Sequence, residues 1–197
     1  MTLDRFRPHV GWILDPLVAP FVRFRISPDV FSVAAFVAAI AAGITFGMHN
    51  TVLGVVFVGV NALLDALDGA LARAMKVESK RGDFLDHTFD RYADIFIIAG
   101  IAAGGAAPWE VALFALSGVL MASYMGTQAQ AVGVGRYYGG VLGRADRLVL
   151  LVAAGVLDIF IAAPYGIPYL EWLLVLFGIF GHATAVQRFL FVLRRLL

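Results

Sequence analysis

Hydrophobic residues run along this 197-residue chain in long blocks separated by short polar joins. Six blocks reach about the length that a helix needs to cross hydrocarbon, at roughly 30–48, 52–75, 84–104, 109–132, 146–163 and 169–192. The joins hold Gly, Pro, Asn and charged residues: His49-Asn50, Lys76 to Gly82, Gly104 to Pro108, Gly133 to Arg144 and Pro164 to Pro168. Residues 1–26 break the pattern, because Arg5, Arg7, Arg23 and Arg25 are mixed with Trp12, Ile13, Leu14, Leu17, Val18, Phe21 and Phe24. Such a mixture predicts an amphipathic helix lying in the membrane interface, kinked by Pro16 and Pro20. Ser27-Pro28-Asp29 then reads as a helix start, with Ser27 as cap and Pro28 in the first turn. The expected architecture is all-α and integral to the membrane: an interfacial segment over 1–26, then a domain of six transmembrane helices over 27–197.

Composition supports this class. The chain is 61% hydrophobic and 15% charged, against about 45–50% and 25% in a soluble domain. Cysteine is absent, which excludes disulfides and thiolate metal sites. Charges and prolines spread through the first 26 residues argue against a cleavable signal peptide there. A net charge of +1 gives no reason to expect a nucleic-acid partner.

Where the charges lie is more informative than their sum. All fifteen basic residues fall before the first block, around the second join, in or near the fourth join, or near the C-terminus. The first, third and fifth joins contain none. By the positive-inside rule both termini lie on the cytoplasmic side of a multi-pass cell-membrane protein. Trp109 and Trp172 then sit at the opposite interface, where amphipathic rings are favoured.

Against this apolar background stand four aspartates, Asp65, Asp68, Asp86 and Asp90. A carboxylate in hydrocarbon costs roughly 2.5–3.5 kcal/mol on insertion scales, so four of them need a compensating partner. Asp65, Asp68 and Ala72 are spaced i, i+3, i+7 and share one helix face; Gly82, Asp86 and Asp90 are spaced i, i+4, i+8 and share another. The short basic join makes the two helices antiparallel neighbours, at their cytoplasmic end. Two facing carboxylate pairs suit one or two hard cations, Mg2+ or Mn2+ in preference to zinc. Gly69 and Gly82 leave room for close approach, and Arg73 lies one turn toward the cytoplasm, placed to meet a phosphate. Asn61, one turn before Asp65, either hydrogen-bonds within the bundle or lines the site. His87 is expected to pack rather than ligate, and His49 and His182 receive no role.

The full string, D-x2-D-G-x2-A-R-x8-G-x3-D-x3-D from Asp65 to Asp90, resembles the signature of the CDP-alcohol phosphotransferase family at every fixed position. The six-span layout and the interfacial N-terminal segment are similar as well. The resemblance implies transfer of a phosphatidyl or archaetidyl group from a CDP-linked lipid to a polar alcohol, with release of CMP. It implies that Asp65, Asp68, Asp86 and Asp90 border two divalent cations, that Asp90 is the general base, and that Gly69, Ala72, Arg73 and Gly82 contact the CDP moiety. Asp29, also expected at the CDP moiety, stands where many relatives have Asn.

The acceptor is less sharply written. Gln128 ends the fourth block, and Arg136, Arg144 and Arg147 follow in the next join. Arginine recognises phosphate bidentately, so these four residues are candidates for binding a phosphorylated polyol. Members making inositol-phosphate lipids look similar through Gly143 to Arg147 but carry basic residues where this chain has Gly126 and Gln128. Glycerol phosphate and inositol phosphate both stay open. Glycine-rich stretches in the first, third and sixth blocks suit close helix packing and a homodimer face. Two other functions use intramembrane carboxylates: cation or proton transport, and magnesium-dependent prenyl transfer. Transport predicts carboxylates strung across the membrane depth, whereas these cluster at one end beside basic residues.

Overall fold

The computed structural model describes residues 7–135 and 139–196. Among them it is built from helices: α1 (Arg7–Arg23), α2 (Pro28–Gly47), α3 (Thr51–Met75), α4 (Lys80–Ala103), α5 (Trp109–Ala131), α6 (Arg144–Phe160) and α7 (Tyr169–Leu196). Helices α2 to α7 fall on the six hydrophobic blocks, within a few residues at each end. Four of them, α2, α3, α5 and α7, are long and apolar enough to cross a membrane. Helix α6 has 17 residues, and the first half of α4 carries Asp83, Asp86, Asp90, Arg91 and Asp94. Of these, Asp90, Arg91 and Asp94 are paired with one another and with α6, as described below.

Local chemistry sets the helix ends. Ser27 caps α2, its Oγ accepting from Asp29 N at 3.3 Å, with Pro28 in the first turn. Ser79 caps α4, its Oγ accepting from Gly82 N at 3.1 Å. Helix α3 ends at Lys76 in the left-handed region (φ 56°), so the chain reverses tightly between the two aspartate-bearing helices. Asp158, near the end of α6, accepts from Tyr169 N at 2.6 Å and Leu170 N at 3.0 Å. A carboxylate from one helix thus satisfies the orphan donors at the start of the next.

Two glycine contacts bring helices together. On α4, a Cβ at Gly100 would fall on the backbone of Gly43 in α2; on α7, a Cβ at Gly181 would fall on Gly118 of α5. Lipid tails are as apolar as leucine, so such van der Waals contact is what holds helices together in a bilayer. Ile97, Ile101, Leu170, Leu174 and Phe177 fill the main core. Helix α1 forms a second, smaller core: Leu14 and Val18 pack with Phe31, Leu67 and Leu71, and Phe21 meets Phe31 edge-on at 4.9 Å. The helix runs through Pro16 and Pro20.

Candidate active site

The first turns of α2, the middle of α3, the first half of α4 and the first turn of α6 meet around one cleft. It has a volume of about 200 Å³ and is lined by Ser32, Asn61, Asp65, Asp68, Asp86, Asp90 and Arg144 together with Ala35, Phe36, Phe89 and Ala93. One carboxylate oxygen from each of Asp65, Asp68 and Asp86 lies within 4.8 Å of the others. Asp90 is buried beside them on α4. The i, i+3 and i, i+4 spacings therefore do bring the four aspartates to one place.

Their surroundings were only partly anticipated. Ser32, one turn into α2, donates its hydroxyl to Asp68 Oδ2 at 2.7 Å. Arg144, the first residue of α6, sends Nη1 between Asp65 Oδ1 at 2.5 Å and Asp90 Oδ1 at 2.9 Å. It is the closest cationic contact of either carboxylate, and its Nε is buried without a hydrogen-bond partner. One guanidinium set among four carboxylates leaves the cleft strongly negative. An all-oxygen donor set with excess negative charge fits hard divalent cations, and Asp65, Asp68, Asp86 and Asp90 are the residues positioned to hold them.

The other expected residues are dispersed around this centre. Asp29 pairs with Arg81 Nη1 at 2.5 Å at the rim. Arg73 is exposed at the end of α3; its guanidinium lies over Gly69, 3.3 Å from where a Cβ would stand. Ala72 and Gly82 are half-buried on the facing ends of α3 and α4. His87 contacts Asp83 at 3.0 Å and lies 4.0 Å from Asp86, closer to the cluster than its position off the Asp86/Asp90 face suggested. His49 bonds the Gly104 carbonyl at 2.9 Å, and His182 bonds Ser117 at 3.2 Å and stacks on Phe114.

The four acceptor candidates do not converge. Arg144 is in the aspartate cleft, whereas Gln128 is exposed near the end of α5 and lines neither cleft. Arg136 lies outside the described residues. Arg147 is buried and lines a second cavity of about 230 Å³ between α5, α6 and α7, with Thr184, Phe177 and Phe180 among its neighbours. Its Nη2 bonds Asp94 at 2.9 Å. Arg91 lies 3.6 Å from Asp94 and 3.7 Å from Asp90. A largely buried line of alternating charge, Arg144–Asp90–Arg91–Asp94–Arg147, with Arg91 its most exposed member, therefore runs from one cavity to the other. Asp94 was missed although the signal was present: Gly82, Asp86, Asp90 and Asp94 form one unbroken i+4 stripe.

A profile of the CDP-alcohol phosphatidyltransferase family matches residues 25–186. The chain is 34% identical over 171 residues to the archaetidylinositol phosphate synthase of Pyrococcus horikoshii, covering 87% of this chain and 91% of that one. It is 30% identical over 194 residues to the archaetidylinositol phosphate synthase of Methanothermobacter thermautotrophicus, covering 98% and 95%. It also resembles the crystal structure of Mycobacterium tuberculosis phosphatidylinositol phosphate synthase with CDP-DAG bound, with a TM-score of 0.78, 28% identity, and 91% and 93% of the two chains covered. The same enzyme in complex with manganese and citrate gives a TM-score of 0.78 at 29% identity, over 91% and 88%. A profile that spans all but the ends of the chain, and relatives aligned over nearly their whole length, show that this protein belongs to the CDP-alcohol phosphatidyltransferase family.

Proposed function

We propose that this protein transfers the lipid phosphate group of a CDP-activated lipid to the hydroxyl of an inositol phosphate, releasing CMP. The observation that carries this reading is the convergence of Asp65, Asp68 and Asp86 within 4.8 Å, beside a buried arginine with an unused donor. The two archaeal relatives and the mycobacterial structure, all named for inositol phosphate lipids, favour inositol phosphate over glycerol phosphate.

In the proposed reaction Asp65, Asp68, Asp86 and Asp90 hold two divalent cations, Mg2+ or Mn2+. When bound, these neutralise the pyrophosphate and stabilise the charge that develops on departing CMP. The chain's own groups do the rest. Asp90 accepts the proton of the attacking hydroxyl, whose oxygen forms a bond to the lipid-side phosphorus as the bond from that phosphorus to the CMP oxygen breaks. Gly69, Ala72, Arg73 and Gly82 line the approach for the CDP moiety, with Asp29 at the rim. Arg144, through its spare Nε, meets the acceptor's phosphate. Arg147 meets an acceptor that extends toward the second cavity, which it lines; Gln128, which lines neither cavity, and Arg136, outside the described residues, are left as acceptor candidates.

We also infer that α4 and α6 span the membrane although their composition is mixed. Their charges are met inside the bundle by Arg144, Arg91, Asp94 and Arg147, so few face lipid. Six spans then place both termini and the cleft on the cytoplasmic side, as the basic joins require. Helix α1 rests in the interface, with exposed Leu17 and Phe24 toward lipid. The expected homodimer needs a face other than Gly43, Gly100, Gly118 and Gly181, which are occupied within the chain.

The test is CMP release from CDP-diacylglycerol and its archaeol counterpart with inositol phosphate, glycerol phosphate, inositol and serine as acceptors, before and after chelation. Turnover with inositol phosphate, lost on chelation and restored by Mn2+ or Mg2+, is the expected result. Equal turnover with unphosphorylated inositol, or cation flux without CMP, overturns the proposal.

A further inference from the structure

Asn61 is a polar group of the cleft that the proposed chemistry leaves unused. It is 1% exposed, lies one helical turn before Asp65 on α3, and lines the same cleft. Its Nδ2 donates to the Ala35 carbonyl of α2 at 2.8 Å. That bond fixes the orientation of the amide, because a carbonyl can only accept and so the nitrogen must face it. Oδ1 is turned the other way, and it is buried with no hydrogen-bond partner.

A buried carbonyl oxygen left without a partner is costly and rare in folded proteins. The cleft's described side chains do not remedy it. Asp65, Asp68, Asp86 and Asp90 offer only acceptors when ionised. The Ser32 hydroxyl is committed to Asp68, and Arg144 Nη1 to Asp65 and Asp90. Arg144 Nε, the cleft's spare donor, does not reach it either, since both atoms stand without a partner; a group that enters the cleft with a positive charge or a proton to share would satisfy Oδ1.

We infer that Asn61 is a neutral oxygen ligand of the divalent-cation site, acting through Oδ1 on a cation or on a water molecule that the cation carries. This rests on the cation reading proposed above. An uncharged oxygen suits this position: it adds a ligand to a hard cation without adding a fifth negative charge to four crowded carboxylates. The bond to Ala35 makes the donor rigid, since it pins the side chain to the backbone of α2. The competing role is purely structural, a tie between α2 and α3.

Titration of the purified full-length protein with Mn2+, followed by electron paramagnetic resonance of free Mn2+, separates the two roles when combined with melting temperatures with and without chelator. Asn61→Leu removes both the donor and the acceptor; Asn61→Asp keeps an oxygen but loses the donor to Ala35. The wild type is expected to bind Mn2+. Asn61→Leu should weaken that binding roughly ten-fold, the lower end of what outer ligand partners contribute, and lose most of the Mn2+-dependent rise in melting temperature. Asn61→Asp should bind Mn2+ at least as tightly as wild type while melting lower without metal. Unchanged affinity in folded Asn61→Leu, or equal weakening in both variants, overturns the role of Asn61 and leaves the cation reading intact. If Asn61→Leu does not fold, weakened binding by Asn61→Asp overturns it instead. A wild type that does not bind Mn2+ removes both.

Discussion

Asp94 anchors two arginines in the interior, and replacing it by leucine should be among the most damaging single changes outside the cleft. The carboxylate is 6% exposed, with Arg147 Nη2 at 2.9 Å and Arg91 Nη2 at 3.6 Å. Leucine keeps much of the volume but leaves the Arg147 guanidinium, 10% exposed, facing no carboxylate in the described contacts. Removing one partner of a buried ion pair costs about 3–5 kcal/mol, whereas replacing both with apolar groups is often neutral. Arg91 retains Asp90 at 3.7 Å, so most of the loss falls on Arg147, and about 3–4 kcal/mol is the expectation within that range. For a chain of this size that is a fall of on the order of 10 °C in melting temperature. The double variant Asp94→Leu/Arg147→Met should recover all but about 1 kcal/mol. Thermal unfolding of the four proteins of this cycle in detergent measures it, with Mn2+ binding followed alongside because Asp90 shares Arg91 with Asp94. A double variant no more stable than Asp94→Leu, or an Asp94→Leu protein within about 1 kcal/mol of wild type, refutes the reasoning that the pair is buried and mutually dependent.

Two further variants probe the cleft and its rim. Asp90→Asn should lower CMP release by about 10²-fold or more, the range of a lost general base, while CDP-lipid binding persists; turnover near wild type would remove Asp90 from that role. Arg81→Ala should shift stability by less than about 1 kcal/mol, because exposed ion pairs contribute little and the Arg81 side chain is 75% exposed despite its 2.5 Å contact with Asp29. A larger drop in melting temperature would show that the α2–α4 contact at the rim is structural.

The helices were legible because hydrophobic blocks of membrane length have few alternative structures, and α2 to α7 fall where the blocks lie. The aspartates were legible for a different reason: helical periodicity turns sequence spacing into shared faces, so Asp65 and Asp68 had to meet Asp86 and Asp90 once the α3–α4 turn was short. Arginines escaped this logic. Arg144 and Arg147 are three residues apart at the start of one helix, yet one enters the aspartate cleft and the other a separate cavity. Which partner each finds depends on how α6 packs against α3 and α7, which no local spacing encodes. Asn61 was ambiguous for the same reason. Its spacing placed it near Asp65, but only the position of Ala35 on another helix decides which end of its amide faces the cleft.

The long reach of Arg144 has a consequence for how the protein is made. It is 79 residues beyond Asp65 in the chain, so α3 and α4 leave the ribosome with their aspartates well before α6 exists. Among the described residues, Arg91 is then the arginine in place beside Asp90 and Asp94, at 3.7 and 3.6 Å. Carboxylates without countercharge are poorly suited to hydrocarbon, and Asp65, Asp90 and Asp94 lack their closest cationic partners until α6 has been made. Packing of α6 then brings Arg144 between Asp65 and Asp90 and Arg147 against Asp94. The same step completes the helix bundle and latches the acidic centre. A chain ending before α6 would carry the aspartate cluster without the two arginines that lie closest to Asp65, Asp90 and Asp94.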